Sequence, residues 1–219
     1  MKVCILCDIP LDPAAAAQAV ESYNRGKYRG RLNVDIDRDA DNRFHDGLAQ
    51  DTPTLTEQLR FVGEDYGGAQ RRFLPHCIRD EAAKIAVKIA PVLPRFAAVV
   101  NMTAPLIERV PDENLEFLFE LFVATKRWGV WASKTLHFLR PASFPVLDSR
   151  AARALGAPSG SSVRHYRAFC CLFRRAMVES TAAMEAAKLV DGGKSRSDVK
   201  LLDKILYEWG RPTRQQRGA

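Results

Sequence analysis

Hydrophobic residues recur at helical spacing along most of this chain of 219 residues. Leu55, Leu59 and Val62 share one helical face and follow a predicted N-cap, Thr54, which has Glu57 three residues after it. The same spacing predicts further helices over residues 11–24, 80–89, 112–122, 163–190 and 198–209. We therefore predict an all-α protein.

Residues 25–52 depart from this pattern, because they are rich in charge and poor in large apolar side chains. Leu32, Val34 and Ile36 alternate with polar residues, and a period of two predicts one exposed strand. Four aspartates occur in the same stretch: Asp35, Asp37, Asp39 and Asp41. They predict a solvated loop and not a calcium site, because a calcium loop needs glycine at its sixth position and glutamate at its twelfth.

These patterns divide the chain into three parts. Residues 1–53 form an N-terminal segment with one helix and an exposed strand or loop, so that a small β element accompanies the helices. Residues 54–210 form a helical domain, and residues 211–219 form a polar tail.

The charge balance favours a polyanionic partner. Lysine and arginine number 33 against 26 acidic residues, which makes the formal net charge +7. Basic side chains that neutralise phosphates release counterions, and this release drives binding to nucleic acids. The alternative is a basic surface that binds nothing acidic.

The sequence predicts a cytoplasmic protein without membrane, metal or cofactor. The apolar stretch before Asp8 is too short for a signal peptide, and no run of apolar residues reaches the ~20 that cross a bilayer. The five cysteines are an odd number, which argues against a disulfide framework. Cys4 and Cys7 have the spacing of zinc ligands, but a second pair of ligands is missing.

Residues 125–155 contain the arrangement with the clearest chemical meaning. The order is a turn over 126–129, a helix from about Val130 to Leu139, a stop at Arg140 and Pro141, and an extended piece that leads to Asp148. The next helix begins with Asp148 or Ser149 as its N-cap. A carboxylate in this setting lies beside backbone N–H groups, which influence its basicity. The alternative is that Asp148 only caps the helix.

This order of elements resembles the active-site segment of the helix-hairpin-helix DNA glycosylases, over about 30 of the 219 residues. With Ala132 aligned to the alanine that closes the family's hairpin motif, Val130 occupies the position of the lysine nucleophile of the bifunctional enzymes. Asp148 then lies 18 residues downstream, at the catalytic aspartate, and Arg153 matches the arginine that follows it. The hairpin glycines are mostly replaced by Lys126-Arg127-Trp128. A group of uncharacterised bacterial proteins thought to share this fold is also similar.

The resemblance implies an enzyme that hydrolyses the N-glycosidic bond of a modified or damaged base in double-stranded DNA and leaves an abasic site. Asp148 would stabilise the oxocarbenium-like transition state and position or deprotonate the attacking water. Valine at position 130 cannot form a Schiff base, so no lyase activity is expected. We expect a monomer, acting in repair or in defence against modified phage DNA.

The resemblance also assigns roles to neighbouring residues. The predicted nucleic-acid contacts are Lys126, Arg127, Trp128, Gly129, Ser133, Lys134 and Arg150. The candidates for a base pocket or wedge are Trp131, His137 and Phe138. The alternative is structural: the aromatic residues belong to the core, the histidine is hydrogen-bonded and the lysine is a surface charge. Two other functions stay open, a non-catalytic helix-hairpin-helix module that binds DNA or a protein, and a helical regulatory or immunity-type protein.

Overall fold

The computed structural model describes residues 12–66, 75–102, 112–123, 128–158 and 160–211. Within these ranges the helices are α1 (Pro13–Arg25), α2 (Asn33–Arg43), α3 (Thr52–Glu64), α4 (Pro75–Ile89), α5 (Leu93–Met102), α6 (Asp112–Glu120), α7 (Gly129–Leu139), α8 (Ser149–Ala154), α9 (Val163–Glu179), α10 (Thr181–Asp191) and α11 (Asp198–Trp209). A 3-10 turn, Ala90–Val92, joins α4 to α5. Two short antiparallel strands, β1 (Lys27–Tyr28) and β2 (Arg31–Leu32), form a hairpin before α2. The prediction of an all-α fold with a small β element near the N-terminus is confirmed.

The predicted strand over residues 32–36 is wrong beyond Leu32, because residues 33–43 form α2. The buried residues of α2 are Asn33, Ile36, Asp37 and Ala40, which follow helical spacing. Two of these four residues are polar, so the buried face of α2 cannot be recognised from the spacing of apolar residues. The aspartates therefore lie in a helix and not in a solvated loop, and Asp37 is buried.

Aspartate and serine side chains begin several helices. Asp51 caps α3 by accepting a hydrogen bond from the backbone N–H of Thr54 at 2.8 Å. The prediction of Thr54 as the N-cap is therefore wrong. Asp12 caps α1 in the same way. The helical stretch predicted over 163–190 is divided at Ser180 into α9 and α10.

The helices pack in two groups. Helix α1 packs on α10 and α11, and α11 also packs on α8. In the second group, α3 packs on α4 and α7, and α6 packs on α7 and α9. The described part of segment 1–53 thus joins the C-terminal helices through α1. The chain from α7 to α8 runs from the second group into the first, and it carries Asp148.

One helical stretch among the described residues, His76–Met102, is long and apolar enough to span a membrane: a window of 18 residues within it has a mean hydropathy of 1.5. It joins α4, the 3-10 turn and α5, and it includes the helix predicted over residues 80–89. A core helix of a soluble protein passes the same test, and 39% of that window is buried inside the protein. The stretch does not by itself indicate a membrane partner.

Candidate active site

The loop between α7 and α8 is held in an extended conformation by three side chains. Ser133 Oγ accepts a hydrogen bond from the backbone N–H of Leu147 at 3.0 Å. Tyr166 donates its hydroxyl to the carbonyl of Pro145 at 2.9 Å, and His137 Nδ1 lies 2.8 Å from the carbonyl oxygen of Phe144. The loop residues from Phe144 to Leu147 are buried. The backbone is therefore fixed up to the residue before Asp148.

Asp148 is the N-cap of α8, as predicted, with extended backbone angles (φ −107°, ψ 143°). Its carboxylate accepts a hydrogen bond from the backbone N–H of Arg150 at 2.8 Å. The residue is half-buried, between the buried Leu147 and the exposed Ser149. An anion here is stabilised by the orphan N–H groups of the first helical turn. Asp148 thus presents a held, solvent-accessible carboxylate.

Helix α8 lies beside α11, and three contacts define how the two are aligned. The guanidinium carbon of Arg150 lies 4.3 Å from the ring centroid of Tyr207. Arg153 donates from Nη1 to the carbonyl oxygen of Gly210 at 3.0 Å. A Cβ atom on Gly210 would lie 1.8 Å from the carbonyl oxygen of Arg150, so the two backbones nearly touch. The start of α8 therefore lies against the C-terminal end of α11, at Gly210.

Helix α11 also contributes to a group of charged and phenolic side chains, which we call the Lys200 cluster: Tyr23, Asp37, Tyr66, Lys200 and Asp203. All of them are buried except Tyr66, which is half-buried. Lys200 Nζ lies 3.2 Å from Asp37 Oδ1 and 3.2 Å from Asp203 Oδ2. Tyr66 donates its hydroxyl to Asp37 Oδ1 at 2.6 Å. The cluster joins α1, α2, the end of α3 and α11.

Burial and neighbouring charge act in opposite directions within this cluster. Burial alone would lower the pKa of Lys200, but the negative charge of Asp37, aided by Asp203, holds that pKa well above its ordinary value. Burial is the main cause that raises the pKa of Asp203 to about 6; the charge of Asp148 adds to this rise, and Lys200 opposes it. Asp203 is thus a carboxyl group that titrates near neutral pH, close enough to Asp148 to feel its charge.

Lys134 is buried and belongs to the surroundings of the same site. Its side chain is only 5% exposed, and Nζ donates to the carbonyl oxygen of Tyr66 at 2.8 Å. Burial lowers the pKa of Lys134, and the negative charge of Asp148 opposes that effect. The prediction of a DNA-contacting surface lysine is therefore corrected: the ammonium group lies inside the protein, between Tyr66 and the carboxylates.

The other predicted DNA contacts differ in how far they are buried. Ser133 is fully buried and Trp128 nearly so, with its indole N–H donated to Glu81 at 3.2 Å. Gly129 is also buried, and a Cβ there would lie 2.1 Å from the carbonyl oxygen of Ser161. These three positions serve packing and not phosphate contact. Arg150 is half-buried, two residues after Asp148. Lys126 and Arg127 lie outside the described residues.

The three base-pocket or wedge candidates lie in the core, which corrects their assignment as a wedge. Trp131 is fully buried and donates its indole N–H to the carbonyl oxygen of Leu59 at 2.9 Å. Phe138 packs between the rings of Phe44 and Tyr66 at centroid distances of 5.4 and 4.6 Å. His137 is buried beside the loop that precedes Asp148. Their role is to hold α7 and that loop in place.

The Lys200 cluster was not predicted from the sequence. A signal was present in α11, where Lys200, Asp203 and Lys204 stand among the apolar residues Val199, Leu201, Leu202, Ile205 and Leu206. Charges embedded in the apolar run of an amphipathic helix indicate buried partners, since an isolated buried charge is very costly. Asp37, the partner of Lys200, was not recognised as buried because it was predicted to lie in a solvated loop.

No protein-family model, curated protein or solved structure matches this chain. Among the described residues, no group of three or more histidine, cysteine or acidic side chains is arranged to hold a metal ion. Cys4 and Cys7 lie outside those residues.

The close approach of α8 and α11 leads to a prediction. Gly210→Ala is expected to lower the free energy of unfolding by about 3 kcal/mol, because its Cβ would overlap a backbone oxygen that cannot rotate away. Gly193→Ala is the control: its φ of +78° imposes backbone strain of about 1–2 kcal/mol, but its Cβ would meet nothing within 4 Å. Urea denaturation measures both losses. Equal losses in the two variants would contradict the close approach.

Proposed function

We propose that this protein is a DNA glycosylase that hydrolyses the N-glycosidic bond of a modified or damaged base and leaves an abasic site. The observation that carries the proposal is the position of Asp148. A half-buried carboxylate stands at a helix N-terminus, at the end of a loop that Ser133, His137 and Tyr166 hold in place. Because three buried side chains orient this one loop, we infer that the site requires its carboxylate in a fixed position.

The chemistry assigned to Asp148 follows from its charge and accessibility. A base that leaves deoxyribose builds positive charge on the sugar, and a fixed carboxylate stabilises that charge without reorganising. A carboxylate that is partly open to solvent can also accept a proton from the attacking water. The bond to the N–H of Arg150 uses one carboxylate oxygen, Oδ1. The target nucleotide must leave the base stack to reach this group.

The surroundings of Lys134 favour hydrolysis over a Schiff-base mechanism. Val130 occupies the aligned position of the nucleophilic lysine and cannot react. Lys134, one turn later, donates to the carbonyl oxygen of Tyr66. Its side chain is only 5% exposed, so its nitrogen is enclosed by the protein and not open to the sugar. We therefore assign no lyase step.

Binding of DNA is supported by the net charge of +7 and by Arg150. Of the predicted DNA contacts among the described residues, Arg150 alone is not buried. It lies two residues after Asp148, where a guanidinium can bind a phosphate next to the extruded nucleotide. Contacts to phosphates position DNA but do not select a base, so the substrate base stays open.

The test is base release from a panel of duplexes that each carry one modified or damaged base, followed by alkaline cleavage of the abasic sites. The wild-type protein is expected to cleave at least one duplex. Asp148→Asn is expected to lower the rate by about 10²–10⁴-fold, because the amide cannot carry the charge or accept the proton. Its fold should survive, since asparagine caps helices as well as aspartate does.

The matched control is Asp51→Asn, which changes another N-cap in the same way. Asp51 caps α3 with a bond of the same length, 2.8 Å, and lies outside the proposed site. Its base release should equal that of the wild type. Equal activity of Asp148→Asn and wild type would contradict the role of Asp148. DNA binding with a steep salt dependence but no base release would favour a non-catalytic binding module.

A further inference from the structure

Helix α9 carries a group of arginines that the candidate active site does not use. The inner face of the helix is buried and largely apolar, and it consists of Tyr166, Phe169, Cys170 and Phe173. At 3.6 residues per turn, the four arginines of α9 fall within an arc of about 100° on the other side. We call this surface the α9 arginine face: Arg164, Arg167, Arg174 and Arg175. Arg167 is half-buried and the other three are exposed.

Positive charge on α9 exceeds the negative charge within the helix. Glu179 is the only acidic residue of α9, and it pairs with Arg175 at 2.7 Å. Arg164 is exposed and has no acidic partner among the residues that the structure describes. By comparison, the exposed Arg38 of α2 pairs with Asp35, three positions before it. The α9 arginine face is therefore a surface with a local excess of positive charge.

This arrangement is unfavourable for the helix itself. Arg164 lies in the first turn, two residues after the N-cap Ser162, where the partial positive charge of the helix N-terminus repels a cation. Arg164 and Arg167 are three positions apart, so they are neighbours on the helix surface and their charges repel each other. Helix stability thus does not account for these arginines, whereas binding of a polyanion does.

The same helix is fixed relative to the candidate active site. Tyr166 donates its hydroxyl to the carbonyl oxygen of Pro145 at 2.9 Å, in the loop that leads to Asp148. Ser161, just before α9, lies against Gly129 at the start of α7, where a Cβ atom would lie 2.1 Å from the Ser161 carbonyl oxygen. A ligand held by α9 is therefore held at a fixed position relative to α7 and to this loop.

We propose that the α9 arginine face binds the sugar–phosphate backbone of DNA, outside the candidate active site. Phosphates recur at short intervals along DNA, and each phosphate that a basic side chain neutralises releases counterions. Arg164 and Arg174 are ten positions apart, a rise of about 15 Å along the helix axis, so the face can contact more than one phosphate. A guanidinium group binds a phosphate through two parallel hydrogen bonds.

These contacts hold DNA without selecting its sequence. The inference shares its ligand, DNA, with the proposed function, but it does not require base release. It assigns to α9 a binding surface that is separate from Asp148 and Arg150.

The test is the binding of an unmodified DNA duplex at several salt concentrations, measured by fluorescence anisotropy. Arg164→Gln combined with Arg174→Gln removes two exposed charges and leaves the half-buried Arg167 in place. The affinity is expected to fall about tenfold for each arginine at about 0.1 M salt. The slope of log K against log salt should decrease by about 1 for each. Arg164→Gln alone should be at least as stable as wild type, because it removes a repelled cation.

Arg25→Gln combined with Arg38→Gln is the matched control. It removes the same number of positive charges from exposed positions on α1 and α2. The net charge therefore changes equally in the two double variants, but only one of them changes the α9 arginine face. The control should keep the salt slope of the wild type.

Equal losses of affinity in the two double variants would overturn the inference, and so would wild-type binding by the α9 variant. Absence of DNA binding by the wild type at low salt would also overturn it. Polyglutamate that competes as well as DNA of the same total charge would indicate an acidic protein as the partner, and DNA would then be the wrong ligand. Absence of base release with DNA binding retained would remove the proposed function and leave this inference in place.

Discussion

Lys200→Met is expected to lower the free energy of unfolding by about 3–5 kcal/mol, because it removes the cation that contacts both Asp37 and Asp203. Methionine fills a similar volume, so the loss reports mainly on charge. Two buried carboxyl groups would remain without their counterion, and at neutral pH at least one must take up a proton or become solvated. Chemical denaturation at pH 7 measures the effect.

Lys188→Met is the control for this experiment. Lys188 also contacts two carboxylates, Glu185 at 2.9 Å and Asp198 at 3.2 Å, but its side chain is 41% exposed. Exposed ion pairs contribute little, so the expected loss is below about 1 kcal/mol. Adding Asp37→Asn and Asp203→Asn to Lys200→Met should recover part of the lost stability, because the uncompensated charges are then absent. Similar losses for the two lysine variants would contradict the importance of the buried cluster.

His137 is expected to make the protein sensitive to acid. Burial, aided by the charge of Lys200, lowers the pKa of His137 to about 3, whereas an unfolded histidine titrates near 6.5. Between these values the unfolded chain binds a proton that the folded chain does not, so stability is present above pH 6.5 and is lost as the pH falls toward 3. The shift of about 3.5 units corresponds to a loss of up to about 5 kcal/mol at the acid end.

Asp203 has the opposite effect on stability over part of this pH range. Its folded pKa of about 6 is raised from 3.8, so the folded chain holds a proton that the unfolded chain releases, and stability falls by up to about 3 kcal/mol as the pH rises from 4 to 6. The acid sensitivity due to His137 is therefore partly masked in the wild-type protein. It should be larger in Asp203→Asn.

The measurement is the free energy of unfolding at several values of pH from 3.5 to 7, in wild type, His137→Asn and Asp203→Asn. Asparagine places an amide nitrogen near the position of Nδ1, so it can still donate to the carbonyl oxygen of Phe144, but it does not titrate. His137→Asn should flatten the acid side of the curve, while Asp203→Asn should steepen it. A His137→Asn curve parallel to that of the wild type would show that His137 is not the source of the acid sensitivity.

Local signals in the sequence predicted the segment from α7 to α8 with good accuracy. A helix was expected from about Val130 to Leu139 and is observed over Gly129–Leu139. Asp148 or Ser149 was expected as the N-cap of the next helix, and the N-cap is Asp148. Proline stops, capping residues and helical periodicity act over a few residues, so they can be recognised without knowledge of the tertiary structure.

Polar residues on buried faces were the main source of error. Asp37 was placed in a solvated loop, and Ser133 and Lys134 were placed at a DNA surface, but all three are buried. The sequence around a charged side chain does not show whether that side chain is buried, because its partner can come from any distance along the chain. Asp37 and Lys200 are separated by 163 positions and lie 3.2 Å apart.

The sequence by itself thus determined the helical architecture and the local setting of Asp148, through periodicity, prolines and caps. Only the tertiary structure decided what surrounds that carboxylate. Helix α8 packs against the end of α11 at Gly210, and the Lys200 cluster forms where α1, α2 and α11 meet. The physical reason is that hydrophobic periodicity records which face of a helix is buried, whereas the partner of a buried charge is set by which helices come together.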